Sequence, residues 1–222
     1  MKIKLLFTAL LTAVSVSLFA QDDSEVRTLF NKGNAKWGGE FTFFGTGASF
    51  NDRFYGGGGF EFGAIRNHSL EFGIFLEGFG SETHTDYKIT SDEKYFIGGG
   101  YGGLFIKPII MPTSPVHFSI PIRIGGGEIG YYSSEHFWDD DDYYYHHHNY
   151  YDDEEDECGV FVFEPGFNVD FNMLKHFQIT LGVSYRMFGS LSLDYRQNQG
   201  EIIGKQDLNG MIYSLGFRFG WF

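Results

Sequence analysis

The sequence predicts an all-β fold, an eight-stranded antiparallel up-and-down β-barrel that crosses a membrane with its strands. Three observations predict it. Long stretches alternate apolar and polar residues with a period of two, the connections between them alternate between tight and long, and the chain opens with the anatomy of an export leader.

The leader is residues 1–20, MKIKLLFTALLTAVSVSLFA, with Lys2 and Lys4 ahead of an apolar run and a small Ala20 before Gln21. Cleavage is expected there, because the apolar run is shorter than the roughly 18–20 residues that a spanning helix needs. Residues 21–35 then form a short N-terminal segment, and 36–222 form the barrel. Loss of the two leader lysines takes the formal charge from −13 to −15, which excludes nucleic acid as a partner because no basic footprint is left. Cys158 is the single cysteine, so no internal disulfide staples an exported chain of this size.

The first strand, about 36–45, sets Trp37, Phe41 and Phe43 against Glu40 and Thr42. A second follows at about 54–65. In the third, about 69–79, Leu70, Phe72 and Ile74 oppose Glu71, Gly73 and Glu77. The fourth, about 94–106, is so rich in glycine that its faces cannot be assigned. The fifth, 116–126, places Val116, Phe118, Ile120, Ile122 and Ile124 opposite His117, Ser119, Pro121, Arg123 and Gly125. The sixth, 161–171, sets Phe161, Phe163, Phe167, Val169 and Phe171 against Glu164, Gly166, Asn168 and Asp170. In the seventh, 177–187, Phe177, Ile179, Leu181, Val183 and Tyr185 oppose Gln178, Thr180, Gly182 and Arg186. The eighth, 211–221, separates Tyr213, Leu215, Phe217, Phe219 and Trp221 from Ser214, Gly216, Arg218 and Gly220. Ten or more alternating residues exceed the usual strand of a soluble sheet and match a tilted strand crossing a bilayer.

The connections fix the topology. Arg66-Asn67-His68 and Leu174-Lys175-His176 are tight; 107–115, KPIIMPTSP, is intermediate; 80–93, 132–157 and 189–207 are long and polar. Short turns at one end and long loops at the other are the pattern of an outer-membrane barrel, with the short end in the periplasm. A soluble calyx with an apolar interior is the competing arrangement. The glycines on the polar faces suit a crowded lumen, and Trp37, Tyr185 and Trp221 lie towards strand ends where interfacial girdles belong, so the apolar faces are expected outside. The lumen then contains Glu40, Glu61, Glu71, Glu77, Glu164 and Asp170 with Arg123, Arg186 and Arg218, and charges so buried must pair. An ion-pair plug in a closed barrel is the expectation; a catalytic constellation is the alternative.

The chain end, SLGFRFGWF, resembles the assembly signal of outer-membrane barrels, an alternating aromatic strand with a terminal Phe. Here Phe222 falls on the opposite parity from Phe219, Phe217 and Leu215, which leaves Trp221 to take that place. With FYGGGGFEFGAIRNHSLEFGIFLEGFG, YGGLFIKPIIMPTSPVHFSIPIRIGGG and FEPGFNVDFNMLKHFQITLGVSYR, nearly the whole chain after the leader is similar to small bacterial outer-membrane β-barrel proteins, of the size of the OmpX and OmpW types. The resemblance implies the fold, outer-membrane lipid and lipopolysaccharide as surroundings, assembly by the barrel assembly machinery and a monomer. It implies no catalytic residue and no cofactor.

Loop 132–157 carries 11 carboxylates and no Lys or Arg, which repel one another and attract cations. His146 and His148, two apart, could face one ion together with Asp142 or His136, whereas three consecutive histidines could not. The composition favours a solvated acidic loop, the alternative being weakly bound divalent cations that bridge lipopolysaccharide phosphates. Neither GGGG at 56–59 nor GGGYGG at 98–103 precedes a helix, so neither reads as a phosphate loop. A structural or surface-interaction role through the outer loops is therefore expected, with a narrow channel or a lipid-modifying enzyme as alternatives.

Overall fold

The computed structural model describes residues 35–51, 53–86, 94–134, 156–189, 191–194, 201–204 and 208–222. The leader, residues 21–34 of the segment that follows it and the candidate ligands His136, Asp142, His146 and His148 lie outside the described residues. The barrel unit begins at Lys36. Its strands are β1 (Trp37–Phe50), β2 (Arg53–Arg66), β3 (Leu70–Ser81), β4 (His84–Thr85), β5 (Lys94–Ile110), β6 (Val116–Ser119), β7 (Ile122–Ser133), β8 (Asp156–Leu174), β9 (Phe177–Phe188), β10 (Ser192–Asp194), β11 (Glu201–Gly204) and β12 (Gly210–Gly220).

Eight of these positions form the wall, because β6 and β7 are one strand broken at Ile120-Pro121. Proline has no N–H to give the ladder, and the wall is bridged there by Ile120 N–H donating to Pro108 O (3.0 Å) and Gly166 N–H to Pro121 O (2.8 Å). Every wall strand is antiparallel to its neighbours, and β12 pairs with both β9 and β1, as in Phe43 with Phe217, so the sheet closes. Closure removes all edges. The β10–β11 hairpin stands apart as a two-stranded sheet.

The tight turn between β2 and β3 has Asn67 and His68 both at positive φ, 52° and 58°, and Ser69 N–H donates to Arg66 O at 3.1 Å. Two successive left-handed residues suit the right-handed twist of a hairpin, and histidine at the second is strained where glycine would not be. His68→Gly is expected to stabilise the barrel by about 1 kcal/mol, read as a higher midpoint in urea; an unchanged or lower midpoint would contradict that assignment of strain.

The wall strands run further than alternation alone suggests. β1 continues to Phe50, which pairs with Arg53, so this connection at the long-loop end is tight. β5 continues to Ile110, which puts Lys107 in the wall rather than in the connection that KPIIMPTSP suggests. β8 starts at Asp156. The reason is visible on the outer face, where two registered rows, Gly47–Gly56–Gly80–Gly98–Gly130 and Gly45–Gly58–Gly78–Gly100–Glu128, cross five neighbouring strands with almost no side chain. Above the apolar belt the outer face turns to glycine, and the alternation loses its contrast.

Apolar side chains cover the remaining outer face, among them Leu76, Leu104, Tyr213 and Leu174, each more than half exposed. Polar and charged side chains line the inside of the short-turn half. Ile97, Ile129, Val160, Val162, Phe188 and Ile212 line the long-loop half, packed with Leu191, Leu193 and Leu208 from the segment between β9 and β12. The interior is therefore two stacked fillings, charged below and apolar above. At the short-turn end Trp221 points outward at 72% exposure, while the Phe222 ring lies 5.4 Å beneath the Arg218 guanidinium. Trp221 thus takes the outward place of the terminal aromatic, and Phe222 turns under the lumen.

Candidate functional site

Alternation brings one row of side chains from each wall strand into the lumen, where side chains of this size can fill the interior of an eight-stranded barrel. Nearest the short-turn end is Asp170. It accepts hydrogen bonds from Ser119 Oγ (2.7 Å) and Thr180 Oγ1 (2.6 Å), with His117 Nε2 3.9 Å away. Arg218 donates to Gln178 Oε1 at 3.1 Å, and its other nitrogens pair with Glu40 and Glu71.

Above this, Lys107 Nζ stands 2.7 Å from Glu61 Oε2, 3.0 Å from Glu71 Oε1 and 4.0 Å from Glu40 Oε1. Carboxylate oxygens of Glu40, Glu61 and Glu71 lie within 4.8 Å of one another, a donor set that would suit a hard cation. Lys107 already supplies the positive charge among them, so the cluster is an internal salt bridge in its own right.

One level higher, Arg123 bonds Glu61 Oε1 through Nε (2.9 Å) and Nη2 (2.7 Å), and Glu164 Oε1 through Nη1 (2.9 Å). Its guanidinium lies 4.8 Å from the Phe44 ring centre. Arg186 joins Glu164 Oε2 (2.8 Å) to Glu77, and stacks 4.8 Å from the Tyr101 ring. Ser184 Oγ and Tyr101 OH also donate to Glu164, at 2.8 and 3.2 Å. The pairs share members throughout, so Asp170, Arg218, Glu40, Glu71, Lys107, Glu61, Arg123, Glu77, Glu164 and Arg186 form one connected network. Side chains of Glu40, Glu71 and Glu77 are 0% accessible, those of Glu164 and Arg218 1%.

All nine lumen residues named from the sequence face inward in this network. Lys107 is the tenth, and the sequence reading missed it. One signal in the sequence pointed to it: six carboxylates against three arginines leave a large buried excess of negative charge.

Ser119, Asp170 and His117 meet in the lumen, but in the order hydroxyl, carboxylate, imidazole. Ser119 Oγ donates to Asp170 rather than to the imidazole, which is not the Ser–His–Asp order of a catalytic triad. At the long-loop mouth Tyr131 OH donates to Asp86 Oδ2 (3.0 Å), so at its 3.0 Å contact with His84 Nε2 it is the acceptor. Burial first, then the nearby Arg53, holds the His84 imidazole below its ordinary pKa.

No protein-family model and no curated protein matches the sequence. Among solved structures, the chain is similar to a major outer membrane protein from Thermus thermophilus, with a TM-score of 0.53 at 7% identity over 82% of this chain and 98% of that one. It is also similar to Neisserial surface protein A, with a TM-score of 0.50 at 11% identity over 85% of this chain and 99% of that one. At such identities the likeness is one of fold, and the chain has the eight-stranded barrel fold of small outer-membrane proteins.

Proposed function

We propose that the chain is an integral outer-membrane protein with a lumen closed to solutes, acting as a structural or surface-interaction protein through its long-loop end. The apolar outer face carries this reading. Leu76, Leu104 and Tyr213 are 61%, 67% and 64% exposed on different wall strands, and an apolar surface wrapped around a whole barrel far exceeds what a soluble monomer leaves in water. Hydrocarbon is the solvent it suits. The export leader and the alternation of tight and long connections support the orientation, with the short turns in the periplasm.

The interior supports a non-conducting barrel. An ion would have to displace a network in which each carboxylate already has a cationic partner, then pass Ile97, Ile129 and Leu193, all inaccessible to solvent. The surfaces left to meet partners are the loop end and the outer wall. No catalytic role is proposed.

Cell fractionation tests the location: recovery with the outer membrane, with gel mobility that shifts on heating, is the expected outcome. Recovery in the soluble periplasm without such a shift overturns it. In planar bilayers the purified protein should give no unitary current, and steady channel steps would replace the closed-lumen reading with a transport one. A changed lipid mass spectrum on expression would favour a lipid-modifying enzyme.

A further inference from the structure

We infer that the short-turn end of the outer wall is a binding site for one phospholipid, with an acyl chain in a groove across β1 and β2 and its phosphate held at the rim. This rests on the membrane reading above. The groove has Gly39 and Ala64 as its floor, paired with each other across the two strands. Phe219 and Trp221 form one wall, Phe72 and Ile74 the other, and His176 lies at its rim end.

Nothing in the fold requires glycine at position 39. A Cβ there would meet no atom closer than the Gly63 carbonyl oxygen at 3.7 Å, an ordinary contact, and glycine weakens a strand. The neighbouring outward positions Trp37, Phe41 and Phe62 are all large and aromatic. The small floor is what makes a groove in an otherwise filled belt, and the groove is continuous with that belt.

Charge complementarity names the occupant. The rim segments 35–39, 65–70, 108–116, 172–177 and 220–222 contain no Asp or Glu, but hold Lys36, Arg66, His68, Lys175 and His176. Loop 132–157 at the other end carries 11 carboxylates and no Lys or Arg. Arg66 is the next outward residue after Ala64 towards the rim, opposite Trp37. His176 contacts the Gly220 carbonyl oxygen through Nδ1 at 2.9 Å. A carbonyl only accepts, so Nδ1 carries a proton, and Nε2 is left for a ligand, to which the imidazolium form donates. The Trp221 ring packs edge-on against this imidazole at 5.8 Å and fixes its direction. An apolar groove with an imidazole at its rim end, and a guanidinium one outward position beyond its floor, matches a phosphate ester that carries an acyl chain.

Native mass spectrometry of the full barrel in detergent, with dioleoylphosphatidylglycerol as probe, tests the site. One lipid per barrel should be retained, while dioleoylglycerol, which lacks the phosphate, is retained at least about tenfold less, the ratio expected for losing even one of the two charge-assisted contacts. Filling the floor with Gly39→Leu and Ala64→Leu should abolish retention, and Arg66→Gln with His176→Gln should lower it at least about tenfold. Each variant is accepted only if its gel mobility still shifts on heating. Equal retention by the filled variant, equal retention of dioleoylglycerol, or no retention by the wild type overturns the site. A wild-type barrel that shifts on heating yet retains no lipid defeats this inference alone, and one that does not shift defeats the membrane reading.

Discussion

Lys107→Met destabilises the barrel by about 3–5 kcal/mol, the cost of breaking a buried ion pair by removing one partner. The methionine fills most of the same space, so lost packing is a minor part. What changes is the charge balance of the network: its six carboxylates face four cations, and the variant leaves three. Glu61 keeps Arg123, and Glu40 and Glu71 keep Arg218, so the loss is shared rather than confined to one orphaned group. Adding Glu61→Gln to Lys107→Met removes one negative charge from the same place and should restore part of the stability. Urea titration in micelles, followed by the heat-dependent gel shift, measures both. If the single variant unfolds at the wild-type midpoint, the network is not what holds the lumen together.

Gly73→Val abolishes barrel formation, while Gly78→Ala on the same strand folds and gains up to about 1 kcal/mol. Gly73 faces inward at a close approach of β2 and β3. A Cβ there would strike the Phe62 carbonyl oxygen and come within 2.8 Å of Gly63 Cα, both backbone atoms of the paired strand. No rotamer change relieves such a contact; the ladder itself would have to open. Gly78 faces outward in the glycine rows, and the nearest atom to its added Cβ is the Gly99 carbonyl oxygen at 3.8 Å. The readout is the fraction of protein whose mobility shifts on heating. A shifting Gly73→Val barrel would show that the close approach is not rigid.

The two glycines also explain what alternation can and cannot reveal. In β8 and β9, Phe161, Phe167, Leu181 and Tyr185 alternate with polar partners, so both faces and the inward charges Glu164, Asp170 and Arg186 are legible from the sequence. In β5 glycine occupies both faces, Gly98, Gly100 and Gly102 outside and Gly99 and Gly103 inside, and no contrast is left to read. Lys107 was hidden for a related reason, since Pro108, Pro112 and Pro115 mark a connection while the strand runs on to Ile110. The apolar upper lumen was invisible to a rule that places apolar residues outside. Ile129 and Val160 obey the inward parity but carry the outward chemistry. Leu191, Leu193 and Leu208 reach the core from outside the wall strands, where no period applies.

Arg218 and Glu40 are 178 residues apart in the chain and meet across the seam of β1 and β12. Glu71, two strands further on, shares the same guanidinium. Before that seam forms, the first three strands carry Glu40, Glu61, Glu71 and Glu77 with no cation facing inward at that depth, since Arg53 stands at the long-loop mouth and Arg66 faces outward at the rim. A sheet of those strands alone cannot enter hydrocarbon without exposing four carboxylates to it. Closure of the ring and neutralisation of its first carboxylate are thereby one event: Arg218 of β12 reaches Glu40 of β1 only when the two strands pair, while Lys107 and Arg123 serve Glu61 and Glu71 from β5 and β7.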